Sequence, residues 1–235
     1  MRTLIFAIIL AFTACDSSTN YVEKVMHKST DSIPNIPVNY SHDTTLVNNQ
    51  NKFLLTTKII SDEKMLLNVS FGVHITTLDT LYYKALAYIE YVDFDKDGNT
   101  DILIDYIGNN STYFLFLFDQ NSNSFKAIDH YSSFPDAVHL KANPKFYYSY
   151  HRAGCADENW ESDLFQIINF KIVHLGNIDG HGCEIDNLRS INIYKVSEKN
   201  NKLIDSLNYS SVIKDSIDKW AFIEKYWNRN YKTFK

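Results

Sequence analysis

Short apolar stretches separated by polar turns make up most of the chain from Lys52 onward. They are rich in Ile, Val, Tyr, Phe and Thr and are bounded by Asn, Asp, Gly or Ser, which is typical of β-strands. Their spacing of about ten residues favours an antiparallel meander or a sandwich. The 16 tyrosines and 15 phenylalanines agree with this, because aromatic residues favour strands. The sequence therefore predicts a mainly β fold.

Two segments refine that prediction. The run YFLFLF at 113–118 is nearly all apolar, so we expect it to pass through the middle of a sheet. The C-terminal segment 216–232 has the period of an amphipathic helix, which we expect to pack on the sheet as a cap. A partner-binding aromatic helix is the alternative. Its apolar residues recur every three or four positions: Ile217, Trp220, Ala221, Trp227 and Tyr231.

The first fourteen residues have the pattern of an export signal. Arg2 precedes an apolar run, and small residues lead to Cys15. The segment resembles the lipobox of bacterial lipoproteins, which implies cleavage before Cys15 and acylation of its thiol. The alternative is ordinary signal cleavage nearby, with Cys15 an ordinary thiol. The polar segment 15–51 is interpreted as a flexible tether, and 52–235 as a single calcium-stabilised domain.

The stretch VDFDKDGNTDILID, residues 92–105, alternates carboxylates with other residues. A calcium loop needs side-chain oxygens at its positions 1, 3 and 5, a glycine at 6, a backbone carbonyl at 7 and a further acidic group near 9. Gly98 occupies position 6 when Asp93 is position 1. The predicted ligands of a Ca²⁺ ion are Asp93, Asp95, Asp97, Asn99 and Asp101.

The surroundings of this loop exclude a helical calcium sensor. Position 12 would be Glu in an EF-hand and is Ile104 here, and strand-like sequence lies on both sides. The pattern resembles the calcium loops of FG-GAP and VCBS repeat proteins. One copy is present, so the resemblance implies the metal loop and not a propeller.

Cys155 and Cys183 are the two cysteines left after signal cleavage, and an even pair in an exported protein predicts a disulfide. Two free buried thiols or a metal pair are the alternatives. A bridge over about 29 residues would stabilise the fold by roughly 3 kcal/mol. Polar residues beside the two cysteines form a candidate partner-binding face: His151, Arg152, Asp157, Trp160, Glu161, Asp179 and His181.

Charge and motifs narrow the functional classes. A net charge of −5 and no basic patch argue against nucleic-acid binding. No nucleophile elbow, zinc-protease motif or phosphate-binding loop is present, which favours a non-enzymatic protein. An envelope hydrolase using the acidic residues and histidines near the disulfide is the alternative.

The signal, the single aspartate loop and the strand pattern together resemble immunity proteins akin to periplasmic lysozyme inhibitors. That resemblance implies a lipid-anchored protein of the cell envelope, on the periplasmic or cell-surface side of the outer membrane. Its expected partner is a protein or glycan of the envelope, such as a cell-wall hydrolase. The residues expected to inhibit it lie in loops 151–163 and 176–187.

Overall fold

Three antiparallel sheets account for the strands in the computed structural model, which describes residues 43–185, 188–198, 200–214 and 218–235. Sheet 1 contains β1 (Thr44–Asn48), β2 (Asn51–Ile59), β3 (Lys64–Phe71) and β4 (His74–Tyr82). Sheet 2 contains β5 (Leu86–Val92), β6 (Asp101–Tyr106), β7 (Thr112–Asp119) and β8 (Ser124–Ala127). In both sheets the strands lie side by side in chain order, which is a meander.

Sheet 3 is larger and has its strands in the order β15-β14-β13-β12-β10-β9, with β11 also paired to β12. Its strands are β9 (Val138–Leu140), β10 (Asn143–Tyr148), β11 (His151–Gly154), β12 (Asn159–Ile168), β13 (Lys171–His181), β14 (Ser190–Lys195) and β15 (Lys202–Asn208). The long hairpin β12–β13 forms its centre.

Helical structure is concentrated at the C-terminus. The helices are α1 (Tyr209–Val212) and α2 (Asp218–Asn230), and 3-10 turns cover Tyr131–Ser133, Cys155–Asp157 and Tyr231–Phe234. The predicted mainly β, antiparallel fold with a C-terminal helix is confirmed. Within the described residues, no helix combines the length and apolar character needed to cross a membrane.

Strand β7 explains how sheet 2 is buried. Phe116 and Phe118 belong to a core cluster shared with sheet 1. Leu115 and Leu117 point to the opposite face and join a cluster that includes Phe165 of sheet 3. Successive side chains of a strand alternate between faces, so a strand covered on both sides must be apolar throughout. Leu115, Phe116, Leu117 and Phe118 meet that requirement and are all buried, and β7 lies between β6 and β8 as predicted.

The C-terminal helix contacts the other face of sheet 3. Ile223 and Trp227 of α2 are fully buried in one cluster with Trp160 and Leu164 of β12. The Trp227 Nε1 group donates a hydrogen bond to Ser162 Oγ at 2.8 Å. The same sheet face needs a glycine in β13, because a Cβ on Gly180 would lie 2.4 Å from the Trp160 ring.

Two predicted boundaries differ from the structure. The first strand, Thr44–Asn48, lies within the segment interpreted as a tether, 15–51. Polar Thr and Asn residues concealed it, although Leu46 and Asn48 are buried. The described helix spans Asp218–Asn230, inside the predicted 216–232, and a 3-10 turn follows it. The signal peptide and Cys15 lie outside the described residues.

Candidate functional site

The aspartate loop joins β5 to β6 within sheet 2, between strands as the sequence predicted. Carboxylate oxygens of Asp93, Asp95 and Asp101 all lie within 4.8 Å of one another. Gly98 has a φ of +92°, a left-handed conformation that favours glycine. The Gly98 amide donates a hydrogen bond to Asp93 Oδ2 at 3.1 Å, so the loop folds back on its first carboxylate.

Asp101 anchors this loop to the sheet. It is almost fully buried, and its two carboxylate oxygens accept hydrogen bonds from the backbone amides of Phe94 and Phe118, each at 2.8 Å. Burial raises the pKa of Asp101 to about 7, against the effect of those hydrogen bonds. Burial, followed by repulsion from Asp97, raises the pKa of Asp95 to about 6. A bound cation would relieve the cost of ionising both groups.

The other two predicted ligands have different contacts. Asp97 Oδ1 accepts hydrogen bonds from the backbone and side-chain nitrogens of Asn99, at 2.8 and 3.0 Å. Asp97 Oδ2 accepts a hydrogen bond from Gln120 Nε2 at 3.3 Å. The structure therefore brings together three of the four aspartates predicted as ligands, and Asp97 and Asn99, the latter predicted to bind through its backbone carbonyl, brace the loop beside them.

A residue that the sequence did not reveal holds the loop from sheet 1. The Asn48 side chain donates to the Thr100 carbonyl at 2.8 Å and accepts from the Thr100 amide at 2.7 Å. Asn48 is only 1% exposed. It lies in the segment interpreted as a tether, and a lone Asn there gives no signal that it pairs with a residue 52 positions later.

The two cysteines form the predicted disulfide, with their Cα atoms 6.1 Å apart. The bridge links the 3-10 turn Cys155–Asp157 to the segment after β13. Three consecutive residues, Cys155, Ala156 and Asp157, have positive φ values, so this turn departs sharply from the strands around it. We call the segments 154–158 and 182–185, which the bridge joins and which are exposed except at Asp157 and Gly182, the disulfide tip.

Asp157 connects the disulfide tip to the C-terminal helix. Its Oδ2 atom lies 2.5 Å from Lys219 Nζ, and Lys219 is buried. The Tyr150 hydroxyl donates to Asp157 Oδ1, and the Arg152 Nε atom lies 3.8 Å from the same oxygen. These contacts make Asp157 a structural anchor of the tip.

The prediction that Trp160 contributes to a binding surface is wrong. Trp160 is 0% exposed, and its Nε1 group donates to the Tyr209 hydroxyl at 3.3 Å inside the core. Alternation along β12 places Trp160 and its neighbour Glu161 on opposite faces of sheet 3. Most of the two predicted inhibitory loops, 151–163 and 176–187, also belongs to strands β11, β12 and β13. Within the described residues, the irregular part is the disulfide tip, and residues 186 and 187 of the second loop lie outside them.

The face of sheet 3 that Glu161 occupies also carries His151, Asp179 and His181, whereas Arg152 is paired with Trp160. His151, Glu161 and Asp179 are aligned across β11, β12 and β13. His151 Nε2 lies 3.7 Å from Glu161 Oε2, and His181 Nε2 lies 2.9 Å from Asp179 Oδ2.

These pairings shift the ionisation of the residues involved. The Glu161 carboxylate raises the pKa of His151, and His151 lowers the pKa of Glu161. Burial raises the pKa of Asp179, partly offset by His181.

A cavity of about 570 Å³ opens over one part of this face. It brings His151 and Glu161 together with Asp163, His174 and Asn177. Asp163 and Asn177 lie within the predicted loops 151–163 and 176–187, but none of the three was among the predicted partner-binding residues, because only the pairing of β12 with β13 shows that they meet. The rest of the lining is Asn110, Ser111, Thr112, Ser132, Ser133, Phe134, Pro135 and Asn201.

Comparisons with known proteins give little further information. No family model matches the chain, and no curated protein matches it. Among solved structures, one described as the structure of a Xanthomonas type IV secretion system related protein is similar to 71% of this chain and 95% of its own. The TM-score is 0.47 and the sequence identity is 14%.

Proposed function

We propose that this chain is a non-enzymatic, calcium-stabilised lipoprotein of the cell envelope that binds a protein or glycan partner. The observation that carries the proposal is the convergence of Asp93, Asp95 and Asp101 in a loop with calcium-binding register. Three carboxylates at this separation repel one another, by roughly 1 to 4 kcal/mol for each pair depending on the local dielectric. A Ca²⁺ ion takes six to eight oxygen ligands and converts that repulsion into attraction.

The position of the loop gives calcium a structural role in this proposal. Asn48 of sheet 1 and the Phe118 amide of sheet 2 both bond to the loop, so an ion there would strengthen the junction of the two sheets. A loop between strands has no pair of helices to open, unlike a sensor. In a medium with millimolar calcium, a site with a dissociation constant of about 10⁻⁴ M is mostly filled.

Partner binding is assigned to the disulfide tip and the polar face of sheet 3. The tip is exposed and is held in place by the disulfide and by the Asp157–Lys219 pair. Such preorganisation reduces the ordering cost of association. The resemblance to lysozyme inhibitors favours a cell-wall glycosidase as the protein partner, with the lipid anchor at Cys15 keeping the complex at the membrane.

Isothermal titration of the metal-free protein with CaCl₂ tests the calcium part of the proposal. We expect saturable binding that Asp95→Asn weakens at least tenfold, since one charged ligand is lost. Asp129→Asn, an exposed aspartate outside the loop, is the matched control and should bind as the natural chain does. Equal calcium affinity in the two variants would show that the ion binds outside the aspartate loop.

An envelope hydrolase is the second candidate, because His151 lies in the cavity beside Glu161. A histidine paired with a carboxylate in a concave site can act in acid–base catalysis. Incubation of the protein with purified cell wall, followed by measurement of new reducing ends, distinguishes the two functions. For a non-enzymatic protein, we expect the natural chain to release no more reducing ends than the His151→Gln variant does. Release that this variant abolishes would support the hydrolase.

A further inference from the structure

One face of the β12–β13 hairpin forms the floor of the cavity on sheet 3. Trp160, Ser162 and Leu164 point to the core on one side, so Glu161 and Asp163 point to the other. Asp163 is paired with Asn177 in the sheet register. The floor is therefore a fixed array on paired strands, and its polar groups need no loop movement to meet a ligand.

Across the floor, side chains that donate hydrogen bonds lie next to side chains that accept them. Asn177 Nδ2 donates to Glu161 Oε2 at 3.2 Å and to Asp163 Oδ1 at 2.9 Å. His174 Nε2 lies 2.9 Å from the same Asp163 oxygen, and His151 flanks Glu161. Among the described residues, the buried Nδ1 atom of His151 has no hydrogen-bond partner. The floor thus offers amide, imidazole and carboxylate groups within one small area.

This chemistry does not match a metal ion. Within the described part of the chain, the only group of three candidate ligands close enough to hold one is Asp93, Asp95 and Asp101. In the cavity, each carboxylate already has an amide or imidazole beside it, so the floor is not a bare cluster of negative charge. The mixture suits ligands whose groups both donate and accept.

Hydroxyl groups have that property, because each carries one donor and two acceptor sites. The walls extend the same chemistry, with hydroxyls from Ser111, Ser132 and Ser133. Phe134 and Pro135 add an apolar surface, against which the C–H face of a sugar ring can pack. The volume of about 570 Å³ lies within the usual range of about 300 to 1,000 Å³ for small-molecule sites.

We propose that this cavity is a saccharide-binding site that takes an uncharged, hydroxyl-rich segment of an envelope glycan. The inference rests on the proposed function and narrows its partner from a protein or glycan to a glycan at this place. Glu161, which is partly exposed, and the Asn177 amide oxygen accept hydrogen bonds from ligand hydroxyls. The buried Asp163, paired with His174, holds Asn177 in position beneath the sugar.

Isothermal titration with chitotriose, and separately with a disaccharide muropeptide, tests the inference. We expect saturable binding of at least one probe, weakened about tenfold or more by Glu161→Gln, which corresponds to loss of a good hydrogen bond. Ser133→Trp should abolish binding by filling the mouth of the cavity from an exposed position. Ser210→Trp, at an exposed serine outside the cavity, is the matched control.

Melting curves of every variant establish that it is folded, and the titrations are run in CaCl₂ and in chelator. Absence of binding of both probes at about 10 mM would overturn the inference, as would binding unchanged in Glu161→Gln and Ser133→Trp. Binding of a cationic probe alone, polylysine, would also overturn it and favour a basic protein partner. If calcium raises the melting temperature but no saccharide binds, only the cavity assignment fails. If a saccharide binds but calcium leaves the melting temperature unchanged, only the proposed calcium role fails.

Discussion

The aspartate loop and the polar cavity differ in how the chain builds them. Asp93, Asp95 and Asp101 lie within nine residues, and a tight turn around Gly98 brings them together. The cavity collects residues from six separate stretches between Asn110 and Asn201, and only the folded arrangement of sheet 3 and its neighbouring segments brings them together. A site built by local backbone geometry can be recognised in a sequence, and a site built by strand pairing requires the register.

The same difference explains which parts of the fold were predictable. Period-2 patterns and turn residues identified strands and the antiparallel class, and YFLFLF marked a strand buried on both faces. Strand β1 was missed because TTLVN is short and follows a polar segment. Trp160 was misplaced because a tryptophan among acidic residues suggested a surface, although alternation along β12 turns it into the core.

The residues of the candidate site were also predictable only in part. Spacing alone identified the group of converging aspartates and the cysteine pair, because each depends on residue type and separation in the chain. Asn48 and Asn177 could not be identified, since a single asparagine acquires its role from a partner strand.

Substitution of Trp227 tests how much helix α2 stabilises sheet 3, and we expect it to have the strongest effect on stability. Trp227→Ala removes a fully buried indole and should lower the free energy of unfolding by about 3 to 5 kcal/mol. Trp227→Phe should cost less, since it keeps most of the packing and loses the bond to Ser162. Urea denaturation measures both. Equal, small losses would show that α2 contributes little to the stability of sheet 3.

Removal of the disulfide tests whether sheet 3 and the aspartate loop of sheet 2 are independent. Replacing Cys155 and Cys183 together by serine should cost roughly 3 kcal/mol, because the unfolded chain regains the freedom of the closed loop. Calcium affinity measured by titration should stay the same, since the loop belongs to sheet 2. A large loss of calcium affinity would contradict the independence of the two regions.

Asn48→Ala should act on the calcium loop and leave the cavity unaffected. Two buried hydrogen bonds to Thr100 are lost, which should cost about 1 to 3 kcal/mol in unfolding and weaken calcium binding. Thr45→Ala, at an exposed position of the same strand, serves as the control and should change stability by less than about 0.5 kcal/mol. Unaltered calcium affinity in Asn48→Ala would remove the proposed link to sheet 1.

The smallest effect concerns the pH dependence of the polar face. The raised pKa of His151 contributes stability below its unfolded value of about 6.5, and this is lost as pH rises through the folded value. The lowered pKa of Glu161 contributes stability above its unfolded value of about 4.3, and this is lost as pH falls. The charged groups facing His151 are Glu161, Asp163 and Asp179.

His151→Gln should therefore destabilise the protein more at pH 6 than at pH 8.5. The difference should be below about 1 kcal/mol, because Glu161 is partly exposed and water screens the pair. Urea denaturation at both pH values measures it. An equal loss at the two values would mean that the pair adds no stability through its charges.

The melting temperature in CaCl₂ and in chelator shows whether the aspartate loop binds calcium that stabilises the fold. Calcium at about 100 times its dissociation constant should stabilise the fold by about 2.7 kcal/mol, which for a chain of this size raises the melting temperature by about 5 to 10 °C. The rise should disappear in Asp95→Asn and persist in Asp129→Asn. Identical melting curves of the natural chain in CaCl₂ and in chelator would contradict the account.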